Sequence, residues 1–210
     1  MSSAETPVAA VLRALAGAGP TPVVLIDGPS GAGKSTLADH LVAAWPGTRP
    51  PTLVRLDDIY PGWQGLDAAV RQVTRCVLEP RQAGRAAAWQ RYDWDRGEPA
   101  EWHPVDPASP LIVEGCGALA AAHAALSDIR VWLTADDTLR KARAIARDGE
   151  VFRTHWDQWQ LEWEDYRARE NPERWATLRL GGEGAMPDSA AATRPRRFGG
   201  NRRRRAKLDP

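Results

Sequence analysis

Val23-Val24-Leu25-Ile26-Asp27, followed by Gly28-Pro29-Ser30-Gly31-Ala32-Gly33-Lys34-Ser35, is the stretch that decides the fold. Its first half is an apolar run closed by an acid, the form a strand takes when a parallel sheet is covered on both faces. Its second half fits the G-x-x-x-x-G-K-S spacing of a phosphate-binding loop, in the required context of strand before and helix after. Gly28, Gly31 and Gly33 let the backbone turn its N–H groups inward, and the following helix adds its positive end. The segment is therefore a cradle for a polyphosphate such as ATP, lined by Gly28, Ser30, Gly31, Ala32, Gly33, Lys34, Ser35 and Thr36. Lys34 would reach the outer phosphates, and the Ser35 hydroxyl, with Thr36 beside it, would hold Mg²⁺.

Working outward, Val8, Val11, Leu12 and Leu15 recur at helical spacing before the strand, and a helix runs from Lys34 to about Trp45 after it. Further strands are predicted over Thr52 to Leu56, Leu111 to Glu114 and Ile129 to Thr134, with a short fifth over Ala176 to Leu180. Helical spacing covers Leu66 to about Glu79, Asp136 to Arg147 and Glu150 to about Glu170, the last two separated at Gly149. Strands alternating with helices imply right-handed crossovers. The expected fold class is a three-layer α/β P-loop NTPase fold with a mainly parallel sheet of about five strands.

Composition agrees. The chain has 210 residues, 43% hydrophobic and 26% charged, which excludes wholesale disorder and a membrane bundle. Net charge is +1, but residues 181–210 carry 8 basic against 3 acidic side chains. The domain is expected over 1–180. Residues 181–210, rich in Gly, Ala, Pro and Arg, are expected to be a disordered basic tail, because they lack the apolar area to offset ordering entropy. Arg202 to Arg205 could contact nucleic acid through phosphates. A solvated tail is the preferred reading, since among the arginines only Phe198 could stack on bases.

Cys76 and Cys116 cannot form a disulfide framework or a zinc cage, so a reduced cytoplasmic setting is expected. No apolar stretch reaches the roughly 20 residues a bilayer demands, and no basic region precedes a hydrophobic run at the amino terminus. Neither a membrane partner nor a secretory leader is expected.

A phosphate cradle alone does not define a reaction. A GTPase switch needs an Asn/Thr-Lys-x-Asp segment to read the base, and the sequence has none. A phosphotransferase needs a carboxylate that draws the acceptor proton in line with the γ-phosphate. Asp57 and Asp58 lie at the carboxyl end of the second strand, where open α/β sheets hold their ligands.

Leu56-Asp57-Asp58-Ile59-Tyr60 resembles the Asp-Ser-Phe-Tyr segment of the uridine kinase and phosphoribulokinase-like group, whose first Asp maps onto Asp57 as the base. Tyr92-Asp93-Trp94 followed by Arg96 is similar to the segment that shapes the nucleoside pocket there. Leu111-Ile112-Val113-Glu114-Gly115 with Ala118-Leu119 resembles the strand whose Glu stands near Mg²⁺. Arg140, Arg143 and Arg147-Asp148 are similar to that group's Arg-rich lid helix.

The resemblance covers about residues 22–150. It implies an ATP- and Mg²⁺-dependent kinase with a helical lid and a small-molecule acceptor. Asp57, Lys34 and Arg147 would be catalytic and Arg143 would sit on the nucleotide. Asp57, Tyr60, Tyr92, Trp94 and Arg96 would meet the acceptor, and Ser35 and Glu114 the metal. The chain departs from the group between Gly62 and Gln90, where Asp67 is the one candidate for a ribose diol. It departs again after Asp148, where a Trp-rich helix replaces Arg-Gly-Arg. A nucleoside is the expected acceptor, with pantothenate, a sugar or a nucleotide as alternatives and a non-catalytic nucleotide-binding module as another class.

Each assignment has a plainer counterpart. Asp57 could be a turn carboxylate, Glu114 a buried acid paired with a basic side chain, and Arg140, Arg143 and Arg147 a solvated face. Trp156, Trp159 and Trp163 at i, i+3 and i+7 fit a helix packed on the core better than a ligand platform. His103 and His155 read as structural or surface residues, and Cys116 as packing.

Overall fold

The computed structural model describes residues 5–181. The expected tail over 181–210 lies outside the described residues except for Gly181, which ends the last strand.

In chain order the elements are α1 (Pro7–Leu15), β1 (Val23–Asp27), α2 (Lys34–Ala43) and β2 (Thr52–Arg55), then a 3₁₀ turn over Leu56–Asp58. Next come α3 (Leu66–Gln72), a π-helical stretch over Val73–Leu78, and α4 (Glu79–Gln82). They are followed by β3 (Ala87–Asp93), β4 (Glu98–Val105), β5 (Leu111–Glu114), α5 (Ala121–Ala124) and β6 (Ile129–Thr134). The long α6 (Asp137–Glu170), a 3₁₀ turn over Pro172–Trp175 and β7 (Leu178–Gly181) complete the described chain.

Five strands form one parallel sheet in the order β2-β5-β1-β6-β7. All five residues of β1 are buried, as a central strand covered on both faces requires. Alternate side chains feed opposite cores. Val24 and Ile26 face α1 and α2 through Val11, Leu37 and Leu41. Val23 and Leu25 face the other layer, which holds Leu66, Val73, Val77 and the second half of α6. The three-layer α/β fold is the one the sequence predicts.

Differences are local. The second strand stops at Arg55, and Leu56-Asp57-Asp58 turns as 3₁₀ helix instead of extending the strand. The predicted helix over Leu66 to Glu79 continues to Gln82 through the π-helical stretch. Gly149, at φ 72° and ψ −156°, interrupts α6 at the predicted boundary. The antiparallel hairpin of β3 and β4 was not foreseen. Its outer strand is largely exposed and lacks the clean apolar/polar alternation that marks a half-buried strand.

Candidate active site

The site lies at the carboxyl ends of β1, β2 and β5. β1 ends in Asp27 and opens into the glycine-rich cradle, whose glycines adopt positive φ at positions 28, 31 and 33. Two of them are forced by close approach as well. A Cβ on Gly28 would overlap the Leu133 carbonyl, and one on Gly31 the Arg140 carbonyl. Lys34 starts α2, is buried, and donates from Nζ to the carbonyls of Gly28 at 2.8 Å and Pro29 at 3.0 Å. Ser35 and Thr36 follow it on the first turn, half-buried.

Asp27 is the hub beneath the cradle. It is fully buried and accepts hydrogen bonds from the amides of Gly28 (2.6 Å), Gly117 (3.2 Å) and Leu119 (2.8 Å) and from the Tyr166 hydroxyl (2.9 Å). Burial pushes its carboxyl up, while these bonds and the Lys34 charge oppose that shift. One side chain thereby ties the start of the cradle to the loop after β5 and to the far half of α6. The Trp159 indole makes a second tie, donating to Ser30 Oγ at 2.9 Å. Trp156, Trp159 and Trp163 are all buried in the core, as the packing reading expects, and Trp159 also braces the phosphate loop.

Cys116 lies between the proposed phosphate and acceptor residues. Its Sγ is 3.4 Å from the Gly28 carbonyl and 3.6 Å from both Ser30 Oγ and Lys34 Nζ. Burial pushes the thiol up; Lys34 opposes this, and Asp27 and Asp57 add to it. The Asp57 carboxylate is thus within electrostatic reach of a thiol that touches Lys34.

Asp57 sits half-buried on the 3₁₀ turn, and its carbonyl accepts from the Trp94 indole at 3.0 Å. That bond fastens the hairpin to the end of β2. Tyr92 packs edge-on to Trp94 at 5.7 Å, and Trp63 does so at 5.2 Å while stacking on His155 at 4.4 Å. Arg96 lies on the exposed hairpin turn, with Glu98 at 3.8 Å. Tyr60 is in the core, 2% exposed, donating to the Cys116 carbonyl at 2.7 Å and packed on Trp159 at 4.9 Å. Asp67 pairs with Arg169 at the surface.

Glu114 ends β5 in register with Ile26 and Arg55 and is 1% exposed. Arg55 Nη1 lies 3.3 Å from its Oε1, and Nη2 lies 2.5 Å from Asp39 Oδ1. Burial disfavours the Arg55 charge, but Glu114 and then Asp39 outweigh it and raise the pKa. The hydroxyl of Ser35 and the carboxylate of Glu114 are hard oxygen donors that fit Mg²⁺, which takes few protein ligands and completes its shell with phosphate and water. Among the described residues no three His, Cys, Asp or Glu side chains gather into an all-protein metal site.

The arginines of α6 divide. Arg140 turns inward, donating to Gln160 at 2.9 Å and lying over the rings of Trp156 and Trp163. Arg143 is exposed. Arg147 forms a two-armed pair with Asp148, at 2.8 and 2.7 Å, and the Asp148 side chain is 0% exposed. The sequence reading missed Asp27, Arg55, Trp63 and Tyr166. For Asp27 a signal existed: an acid closing a wholly apolar strand just before the cradle needs several donors.

The fold is the three-layer α/β P-loop fold, which the chain shares with solved structures described as kinases. It is similar to a possible uridine kinase from Bacillus stearothermophilus, with a TM-score of 0.60 and 15% identity over 82% of this chain and 96% of that one. It is also similar to a candidate fructose transport system kinase from Silicibacter sp. TM1040 (TM-score 0.50, 17% identity, 83% and 99% covered). A third similar structure is that of the YGR205w protein (0.50, 12%, 85% and 94%). No family model matches the chain. Among the described residues no helix is long and apolar enough to cross a membrane.

Proposed function

We propose that the protein is an ATP-dependent kinase that transfers the γ-phosphoryl group to a hydroxyl of a small molecule, with a nucleoside as the first acceptor to test. The observation that carries this reading is the convergence of the Gly28–Ser35 cradle, Asp57 and Glu114 at the carboxyl ends of three neighbouring strands of the parallel sheet. Likeness to a possible uridine kinase and to a candidate fructose transport system kinase supports a hydroxyl acceptor in either class.

In this reading the cradle amides and Lys34 hold the phosphates. Lys34 exchanges its bonds to the Gly28 and Pro29 carbonyls for phosphate oxygens. Mg²⁺, held by Ser35 with Glu114 nearby, would neutralise charge on the phosphates. Asp57 accepts the proton of the acceptor hydroxyl. Trp94 and Tyr92 flank the acceptor, Arg96 stands on the exposed hairpin turn beyond them, and Tyr60 supports the site from the core through its bond to the Cys116 carbonyl. Arg143 and Arg147 cover the transferring group from α6, Arg147 with its orientation held by Asp148.

The test is ADP release from Mg-ATP with and without a panel of nucleosides, pantothenate and simple sugars. Acceptor-dependent release is expected, with a phosphorylated acceptor recovered in equal amount. Tight ATP binding without such release from any acceptor would contradict the proposal in favour of a nucleotide-binding module.

A further inference from the structure

Arg55 is an unusual residue at the end of a strand whose other members are apolar or hydroxylic. Its two arms reach different elements: Nη1 goes to Glu114 at the end of β5, and Nη2 goes to Asp39 on α2. Asp39 lies four residues along α2 from Ser35, so the two share a helix face. The guanidinium therefore bridges the β5 carboxylate and the helix face that carries the Ser35 hydroxyl. Asp58 lies within electrostatic reach of the same group.

A carboxylate taken out of water is costly unless a counter-charge accompanies it. Glu114 is 1% exposed, and Arg55 supplies that charge from within the chain, independent of any metal. A guanidinium and a divalent ion drawn to one carboxylate repel each other. The Glu114 arm is the longer, at 3.3 Å against 2.5 Å, and is the one that can give way while the Asp39 arm holds.

We propose that Arg55 is a resident counter-cation that competes with divalent metal for Glu114, so that loading of metal–triphosphate is coupled to release of the Arg55–Glu114 arm. Arg55 is thus a positioning residue that sets the metal requirement of the site. The proposal rests on the reading of Glu114 as the metal-side carboxylate.

The test measures ATP binding calorimetrically at a series of Mg²⁺ concentrations, together with the melting temperature in chelator and in Mg²⁺, on the full chain without acceptor. Arg55→Met is expected to lower the Mg²⁺ concentration for half-maximal ATP binding by about three- to ten-fold. It should also lower the melting temperature in chelator and enlarge the upward shift produced by Mg²⁺. Arg55→Lys, which keeps the charge but loses the two-armed reach, should fall between the parent and Arg55→Met. Should Arg55→Met fail to fold, Arg55→Gln removes the same charge and carries the same expectation.

An unchanged or raised Mg²⁺ requirement in the neutral variants would overturn the proposal and leave Arg55 a structural tie. Glu114→Gln separates the two layers of the argument. If it raises the Mg²⁺ requirement while the neutral Arg55 variants do not lower it, the reading of Glu114 stands and the role of Arg55 falls. If Glu114→Gln leaves the requirement untouched, the reading of Glu114 fails and the proposal with it.

Discussion

Around Gly28–Ser35 the groups that would meet a ligand are largely backbone. Asp27 and Trp159 fasten that backbone to β1, to the loop after β5 and to the core half of α6. Across the carboxyl end of the sheet, at Asp57, Trp94, Tyr92 and Trp63, the groups are side chains. They are carried on a 3₁₀ turn and a hairpin joined by the bond from the Trp94 indole to the Asp57 carbonyl. The first region is set by chain geometry, and few sequences satisfy it. The second is set by what the side chains happen to be, and it can change while the fold stays. In the proposed reading, a phosphate site built on the scaffold and an acceptor site hung from it respond differently to substitution.

The largest expected effect falls on the acceptor side. Asp57→Asn should lower turnover by about 10²- to 10⁴-fold while ATP affinity is retained, as measured by steady-state kinetics beside calorimetry. Equal turnover in that variant would remove Asp57 from the role of base. Lys34→Ala should cost about 10²- to 10³-fold in turnover and weaken ATP binding as well. If both variants lose turnover and binding in the same proportion, the two regions are not separable and the comparison breaks.

Tyr166→Phe sharpens it at a smaller scale. Removing the hydroxyl from Asp27 should destabilise the fold by about 1–2 kcal/mol in urea unfolding. It should leave the acceptor KM unchanged, because Tyr166 belongs to the phosphate-side scaffold. A changed acceptor KM with unchanged stability would put Tyr166 on the other side.

The smallest effect concerns His123, which holds the loop after β5 from behind and faces neither ligand region. It is fully buried, with Nδ1 at 3.0 Å from the Ala118 carbonyl and Nε2 at 2.9 Å from Thr74 Oγ1 in the π-helical stretch. Burial lowers its pKa below the ordinary value. The unfolded chain therefore binds the proton more readily, and stability present above the unfolded pKa, near about 6.5, is lost as pH falls through the folded pKa. The slope is at most about 1.4 kcal/mol per pH unit. Urea midpoints from pH 7.5 to 5 should fall in the parent chain and fall less in His123→Gln. Parallel curves would assign the acid sensitivity elsewhere.

What could be read from the sequence follows the same division. The order of strands and helices, the cradle, the break at Gly149 and the packing of the tryptophans all rest on local signals, namely apolar runs, helical spacing and glycine at special dihedrals. Strand ends were legible to within a residue or two. Partners that meet through the fold were not. The ties of Tyr166 to Asp27 and Trp159 to Ser30 span 139 and 129 residues, and spacing along the chain does not encode them. The outer strand of the hairpin carries charged residues and prolines on exposed positions, so its pattern does not announce a strand. Tyr60 shows the limit from the other side: an aromatic residue next to a candidate base reads as a substrate contact, yet it fills the core beneath the loop after β5.

The central claim is that main-chain amides and Lys34 grip a triphosphate and present its terminal phosphate to a hydroxyl. Calorimetric titration of Mg-ATP into the parent chain and into Lys34→Ala tests it most directly. The account predicts Mg²⁺-dependent binding in the parent that is weakened at least about ten-fold in the variant. Equal affinity in the two proteins, or no affinity for ATP in the parent at any Mg²⁺ concentration, would contradict it.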